Sequence, residues 1–259
     1  IYDKNQHIPL LWSHLIPATL DGRALHNVQN AMFASGIAFS MGVDLEGIRH
    51  GLRTFDTTFF QAPGRMNIYD EHPFKVIMDY GHNPAAVSAM VDLVQRLEPK
   101  GKRTVVVAAP GDRRDEDIRE IAKLCAGKFD YYICRRDDGL RGRASDEIPL
   151  MLRETLIAEG VSVNAIEVIP DEQRAIQRAL EMSKRDDLLL IFVDAIGRSW
   201  KQIQDFQSDE AVTGEAEHYA PSEVDLGTFA GFSGFDFDSS VELAQDERGV
   251  RIVSQEEAD

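Results

Sequence analysis

Cysteine is scarce in this chain: Cys125 and Cys134 are the only two in 259 residues. One falls in an apolar helical stretch and the other in a strand-like one, so no disulfide framework and no zinc spacing is present, and a reducing, cytoplasmic setting fits. No apolar run is long enough to span a bilayer, which excludes a helical membrane anchor within the sequence. Basic residues are outnumbered: 28 Lys and Arg face 44 Asp and Glu, a net charge of −16. A surface of that sign argues against nucleic acid as the main partner. There is no Gly-x-x-x-x-Gly-Lys-Ser/Thr and no Gly-x-Gly-x-x-Gly, so neither kind of phosphate-cradling loop is expected. A Ser/His/Asp elbow is lacking too. No signal peptide opens the chain, and neither does Met, so it is expected to begin inside a longer protein.

The charge is unevenly spread. From Gln207 onward there are 14 acidic and 2 basic residues, with Phe229, Phe232, Phe235 and Phe237 set among Gly and Ser. That composition predicts an acidic, disordered tail over 207–259. The chain as a whole is 43% hydrophobic, and its body can bury a sizeable core.

Within the body, Met66 to Asp205 alternates short apolar runs with stretches of helical period. Strands are expected near Asn67–Tyr69, Phe74–Met78, Thr104–Ala109, Tyr131–Arg135, Ala165–Ile169 and Leu188–Val193. Helices are expected near Pro84–Leu97, Asp115–Gly127, Ser145–Glu159, Asp171–Lys184 and Ser199–Phe206. The alternation predicts an α/β fold with a mostly parallel sheet and helices on both faces. In such sheets ligands sit beyond the carboxyl ends of the strands.

Those ends are where the polar groups gather. Phe74–Met78 runs into Asp79-Tyr80-Gly81-His82-Asn83-Pro84. Asp79 can accept from a diol, His82 can stack or donate to a phosphate, and Asn83 with Pro84 suits a helix start. The next strands end in Pro110-Gly111-Asp112-Arg113-Arg114-Asp115, in Asp137-Asp138-Gly139-Leu140-Arg141-Gly142-Arg143, and in Asp194-Ala195-Ile196-Gly197-Arg198. Gly with Asp and Arg at successive strand ends points to a charged substrate or a nucleotide. Read as turn chemistry alone, the same residues cap helices and solvate loops.

Ahead of this region, Ile1 to Leu20 reads as strands and loops. Ala24–Met41 reads as a helix with a broad apolar face, and His26 and Asn30 project from one side of its start. Asp44 is placed to cap a second helix running to about Phe55. Phe59 to Arg65 is the expected domain boundary, with Pro63-Gly64 as a hinge and Arg65 placed to meet a phosphate.

Taken together, His26-Asn27-Val28-Gln29-Asn30-Ala31, Pro63-Gly64-Arg65 and Asp79-Tyr80-Gly81-His82-Asn83-Pro84 resemble, in order and spacing, the second half of a Mur ligase. Pro110-Gly111-Asp112-Arg113-Arg114-Asp115-Glu116-Asp117-Ile118 and Asp137 to Arg143 resemble the cyanophycin synthetase branch of that superfamily. The resemblance covers about residues 10 to 205. It implies the helical end of a central ATP-binding domain at 1–62, a Rossmann-like carboxy-terminal lid at 63–206, and the extra tail at 207–259. It implies an ATP-dependent ligase that joins arginine to the aspartate side chain of an Asp/Arg polymer through an acyl-phosphate. That ligase would use ATP and Mg2+ and work as a homo-oligomer in its full length. His26 and Asn30 would then lie at adenine, Arg65 at the terminal phosphate, Asp79 at ribose, and His82 and Asn83 along the nucleotide. Asp112, Arg113 and Arg141 would lie near the amino-acid or polymer site. The phosphate loop and the magnesium ligands would lie mainly upstream, and the chain by itself would be inactive. Two other readings stay open: a non-catalytic nucleotide-binding or interaction module, and another Mur-type amino-acid ligase.

Overall fold

The computed structural model describes residues 1–208 and the backbone of 241–246 and 249–254. Residues 1–218 group as one compact unit and 219–259 as another. In the first, a short hairpin of β1 (Tyr2–Asp3) and β2 (Gln6–His7) and two 3-10 turns lead to α1 (Leu25–Ser40) and α2 (Leu45–Thr54). Then follow β3 (Asn67–Tyr69), β4 (Lys75–Asp79), α3 (Pro84–Leu97), β5 (Arg103–Val107), α4 (Asp115–Cys125) and β6 (Tyr131–Cys134). The unit is completed by α5 (Glu147–Ala158), β7 (Ile166–Val168), α6 (Glu172–Met182), β8 (Leu188–Phe192) and α7 (Ile196–Asp205).

The six strands from β3 to β8 form one sheet in the order β3-β4-β8-β5-β6-β7. Only β3 runs antiparallel to its neighbour; the other pairings are parallel. The central strands β4, β5, β6 and β8 are apolar on both faces because both are covered. Ile77, Val105, Val107 and Leu190 pack with Val87 and Val94 of α3, Ile118 and Ile121 of α4, and Leu152 and Leu156 of α5. The alternate residues Val76, Met78, Val106, Leu189 and Ile191 pack with Ile176 and Leu180 of α6 and Ile203 of α7. The chain steps from β4 to β5 and returns last to β8 between them, so the carboxyl ends of β4, β8, β5 and β6 lie side by side.

Local chemistry explains the helix starts. Asp44, Asn83 and Asp171 each accept a backbone N–H three residues on, at 2.7, 2.9 and 2.9 Å. Three acids, Asp115, Glu116 and Asp117, occupy the first turn of α4, where the helix dipole favours them.

Two expectations shift. The last helix begins at Ile196, three residues before the expected Ser199, because the Glu172 carboxylate accepts from the Asp194 and Ala195 N–H groups at 2.7 and 3.1 Å and caps it earlier. Asp79 is the last residue of β4 and not part of the following loop. The apolar face expected on α1 is only partly covered: Ser35 is buried, whereas Met32, Phe33 and Ile37 are 69%, 71% and 60% exposed.

The second unit contributes β9 (Val241–Asp246) and β10 (Gly249–Ser254), an antiparallel pair with Val241 opposite Ser254. In these two strands the ladder supplies backbone partners. Of the residues expected to form the tail, 209–240, 247–248 and 255–259 lie outside the described residues, including the four phenylalanines.

Candidate ligand-binding edge of the sheet

At the end of β4, Asp79 is 8% exposed, and its Oδ2 accepts the Met66 N–H at 2.8 Å. Burial pushes its carboxyl above the usual range, against the opposing pull of the Met66 N–H and the Arg65 charge. Arg65 is an exposed residue whose guanidinium lies over the Tyr80 ring, 5.6 Å from its centroid. The His82 ring lies 4.9 Å from the Tyr80 ring, with Nδ1 3.0 Å from the Tyr80 carbonyl oxygen. Arg65, Tyr80 and His82 thus form one aromatic and cationic cluster beside a buried carboxylate. Gly81 is required here: a Cβ would come within 2.6 Å of the Phe192 ring, which closes the turn from β8. Asn83 spends its Oδ1 on the Ala86 N–H as the cap of α3.

The start of α1 is held against this corner. Asn27 Nδ2 donates to the Ala18 carbonyl at 2.7 Å and approaches Met66 Sδ at 3.9 Å. Asn30 Nδ2 donates to Asn27 Oδ1 at 3.2 Å and is exposed. His26 is half-buried, and desolvation lowers its pKa, which favours the neutral ring. His26 and Asn30 therefore belong to the α1 side, and Arg65, Asp79 and His82 to the sheet.

A second group lies beyond β5 and β6. Arg141 Nη1 donates to Asp112 Oδ1 at 2.6 Å, and this hydrogen bond holds the exposed Asp112 carboxyl below its ordinary range. Arg143 knits the two loops: it donates to the Gly111 and Arg113 carbonyls at 2.8 Å each and pairs with Asp115 and Glu147. Gly111 permits the approach, since a Cβ there would meet the Leu140 carbonyl oxygen at 2.4 Å. The Nε of Arg113 is buried without a hydrogen-bond partner, as is that of Arg136. Arg113 thus lies beside the exposed Asp112–Arg141 pair with its Nε enclosed.

Residues that sequence reasoning passed over hold this edge together. Arg135 and Glu172 are buried and paired at 2.9 Å beneath the β8 loop. Above them Asp138 accepts from Arg198 at 2.6 Å, and its N–H donates to Asp194 Oδ2 at 3.1 Å. Burial, with Asp194 and Glu172 as like-charged neighbours, raises the Asp137 carboxyl. The signal that could have found Arg135 is weak: a charged residue directly after the apolar run Tyr131–Cys134.

Comparison with known proteins agrees with the geometry. The family described as Mur ligase, glutamate ligase domain, matches residues 64–192. The chain is 37% identical over 190 residues to a cyanophycin synthetase of Synechocystis sp., covering 73% of this chain and 21% of that one. It is 31% identical over 185 residues to the UDP-N-acetylmuramoyl-L-alanyl-D-glutamate–2,6-diaminopimelate ligase of Corynebacterium efficiens, covering 68% of this chain and 33% of that one. The chain therefore spans about a fifth of the length of the cyanophycin synthetase it matches. Among solved structures, E. coli FolC in complex with DHPP and ADP shares the fold at a TM-score of 0.54 and 20% identity, over 78% of this chain and 41% of that one. By its matched domain, its sheet order and these relatives, the chain belongs to the Mur ligase superfamily, through a carboxy-terminal domain at residues 64–192.

Proposed function

We propose that this chain is the closing part of an ATP-dependent ligase that joins arginine to the aspartate side-chain carboxylate of a growing Asp/Arg polymer. The observation that carries the reading is one edge of the sheet on which Arg65, Asp79 and His82 converge, flanked by the Asp112–Arg141 wall. An exposed guanidinium suits a terminal phosphate. Asp79 keeps acceptor capacity beyond its bond to Met66, which suits a ribose diol, and His82 and Asn83 line the nucleotide. His26 and Asn30 reach adenine from α1.

The reaction would run in two steps. The aspartate carboxylate attacks the γ-phosphorus of ATP, ADP leaves, and the arginine amine then displaces phosphate from the acyl carbon. Charge on the transferring group is what Arg65 would stabilise. Arg113 and Arg141 would hold carboxylates of the polymer or of the incoming amino acid. Among the described residues no group of three or more His, Cys, Asp and Glu is placed to hold a metal. On this reading magnesium and the phosphate-cradling loop belong to the preceding part of the ligase, which works in the cytoplasm as a homo-oligomer. Among the described residues, no helix is long and apolar enough to cross a membrane.

The test is polymer growth and phosphate release by the full-length ligase that carries this chain, given an aspartyl primer, ATP, magnesium and one amine at a time. Growth with arginine supports the proposal. Turnover with diaminopimelate or glutamate but not arginine would move it to another Mur-type ligase, and no turnover with any amine would leave a binding module.

A further inference from the structure

The segment between α2 and β3 holds Pro63-Gly64, a natural hinge in sequence, yet the structure fastens it. Asn67, fully buried at the first position of β3, uses its whole amide on this segment. Its Oδ1 accepts the Gly64 N–H at 2.7 Å, and its Nδ2 donates to the Thr57 and Ala62 carbonyls at 2.8 and 2.9 Å. The Tyr80 N–H donates to the Gly64 carbonyl at 2.9 Å, the Arg65 N–H to the Ala62 carbonyl at 3.1 Å, and the Met66 N–H to Asp79. Phe59 stacks flat on Trp200 of α7, with centroids 4.9 Å apart and planes 4° apart. From Thr57 to Met66 the chain is thus bonded at short intervals to β3, β4 and α7.

The preceding turn is held differently. Phe55 is 49% exposed. The bonds across it toward α2 are long, from Gln61 Nε2 to the Thr54 carbonyl at 3.3 Å and from the Asp56 N–H to Gln61 Oε1 at 3.4 Å. Its remaining bonds are local, from the Phe55 N–H to the Gly51 carbonyl at 3.1 Å and from the Thr58 N–H to Asp56 Oδ1 at 2.9 Å. A turn bonded only to its own neighbours, between two segments that are fastened elsewhere, is where backbone rotation costs least.

We infer that Asn67 is a positioning residue for Arg65: it makes 57–66 a rigid part of the sheet domain and moves the pivot to Phe55–Asp56. Arg65 then keeps its place over Tyr80, beside Asp79 and His82, whatever rotation Phe55–Asp56 allows the preceding α2. Asn67 touches no ligand; it sets where the guanidinium stands. The significance for catalysis rests on the ligase reading, but the placement of the pivot does not.

Amide exchange and trypsin on the chain as it stands test this. The Gly64 and Met66 amides should exchange as slowly as those of β4, and trypsin should spare the Arg65–Met66 bond although Arg65 is exposed. Asn67→Ala should open that bond to trypsin and raise Gly64 exchange at least tenfold. It should also return the Arg65 Nε–H resonance from its ring-shifted position over Tyr80 to that of a free arginine. Asp79→Asn, which keeps an oxygen toward the Met66 N–H, should remain resistant to trypsin. Ile176→Val, in the far core, should leave the Arg65 resonance unmoved, which separates positioning from general loosening. Fast exchange at Gly64 or ready cleavage at Arg65 in the unmodified folded chain would overturn the inference, even if Asn67→Ala fails to fold. A failure of ATP to bind would leave these outcomes intact and count against the ligase reading only.

Discussion

Arg135 and Glu172 form an ion pair at 2.9 Å with both side chains withdrawn from solvent. Arg135 also donates twice to the Phe192 carbonyl, at 3.2 and 2.6 Å, and to the Arg136 carbonyl at 2.7 Å. Glu172 accepts from the Asp194 and Ala195 N–H groups and from Ser199 Oγ at 2.6 Å. The pair joins the ends of β6 and β8 to the starts of α6 and α7, beside the loop that carries Asp137 and Asp138 and the first turn of α7 that carries Arg198. Removing one member leaves a buried charge without its partner, a loss of about 3–5 kcal/mol. Glu172→Ala should therefore lower unfolding stability by roughly that amount, whereas the double change Arg135→Met with Glu172→Leu should fall closer to the original. Urea unfolding of the three variants checks this, and a Glu172→Ala variant as stable as the parent would sink it.

The central strands β4, β5, β6 and β8 were readable because they are apolar on both faces, and the caps because Asp44, Asn83 and Asp171 precede helical periods. Asp79, His82 and Arg65 were readable as strand-end and hinge chemistry. Arg135 and Glu172 were not, because a buried charge is identified by its partner, and that partner is remote in sequence. Asn67 reads as an ordinary strand residue; only the folded chain shows its amide turned back on residues 57–64. For the same reason the pairing of Asp112 with Arg141 was hidden although both loops stood out as polar.

Asp79 should trade stability for ligand binding. Its folded pKa is raised by burial, so the folded state binds a proton more readily than the unfolded one. Stability is therefore lost as pH rises from the unfolded carboxylate range through the raised folded value, and the penalty is complete only above that value. Asp79→Asn removes the buried charge and keeps an acceptor for Met66. Its melting temperature at pH 7 should equal or exceed the parent's, and its rise between the parent and the variant should vanish in acid. In the full ligase, Asp79→Ala should weaken ATP by about 1.5–3 kcal/mol through lost charge-assisted hydrogen bonds. Unchanged ATP affinity in a folded Asp79→Ala ligase would remove Asp79 from the nucleotide site.

His72 should make the domain sensitive to mild acid in the opposite sense. Its Nε2 lies 2.8 Å from the Ile203 carbonyl, inside a cage of Tyr69, Phe74 and Phe206. Desolvation lowers its pKa, partly offset by that carbonyl and by Glu71. The unfolded chain thus takes up the proton first as pH falls through about 6.5, and stability drops from there down to the lowered folded value. His72→Gln retains an N–H donor without the titration. Melting between pH 7.5 and 5.5 should decline more steeply for the parent than for this variant, and parallel declines would refute the assignment.

The chain alone should neither ligate arginine to an aspartyl primer nor hydrolyse ATP. The groups proposed to meet the nucleotide, Arg65, Asp79 and His82 with His26 and Asn30, can engage adenine, ribose and one phosphate oxygen. Cradling the β-phosphate takes a ring of backbone amides and a lysine, and the sequence contains no Gly-x-x-x-x-Gly-Lys-Ser/Thr to supply them. Nor do the described residues group the carboxylates and imidazoles that would hold magnesium. Arg65 would approach a phosphate that nothing else has fixed, so the in-line geometry that makes positioning effective would be missing. ATP should therefore bind the chain weakly, with phosphate release at background in the presence of primer, arginine and magnesium. Supplying the preceding part of the ligase should restore release, and Arg65→Ala in that restored enzyme should lower kcat far more than it raises the KM for ATP. Robust turnover by the purified chain would mean that the catalytic centre lies within it and that Arg65 is not its incoming cation.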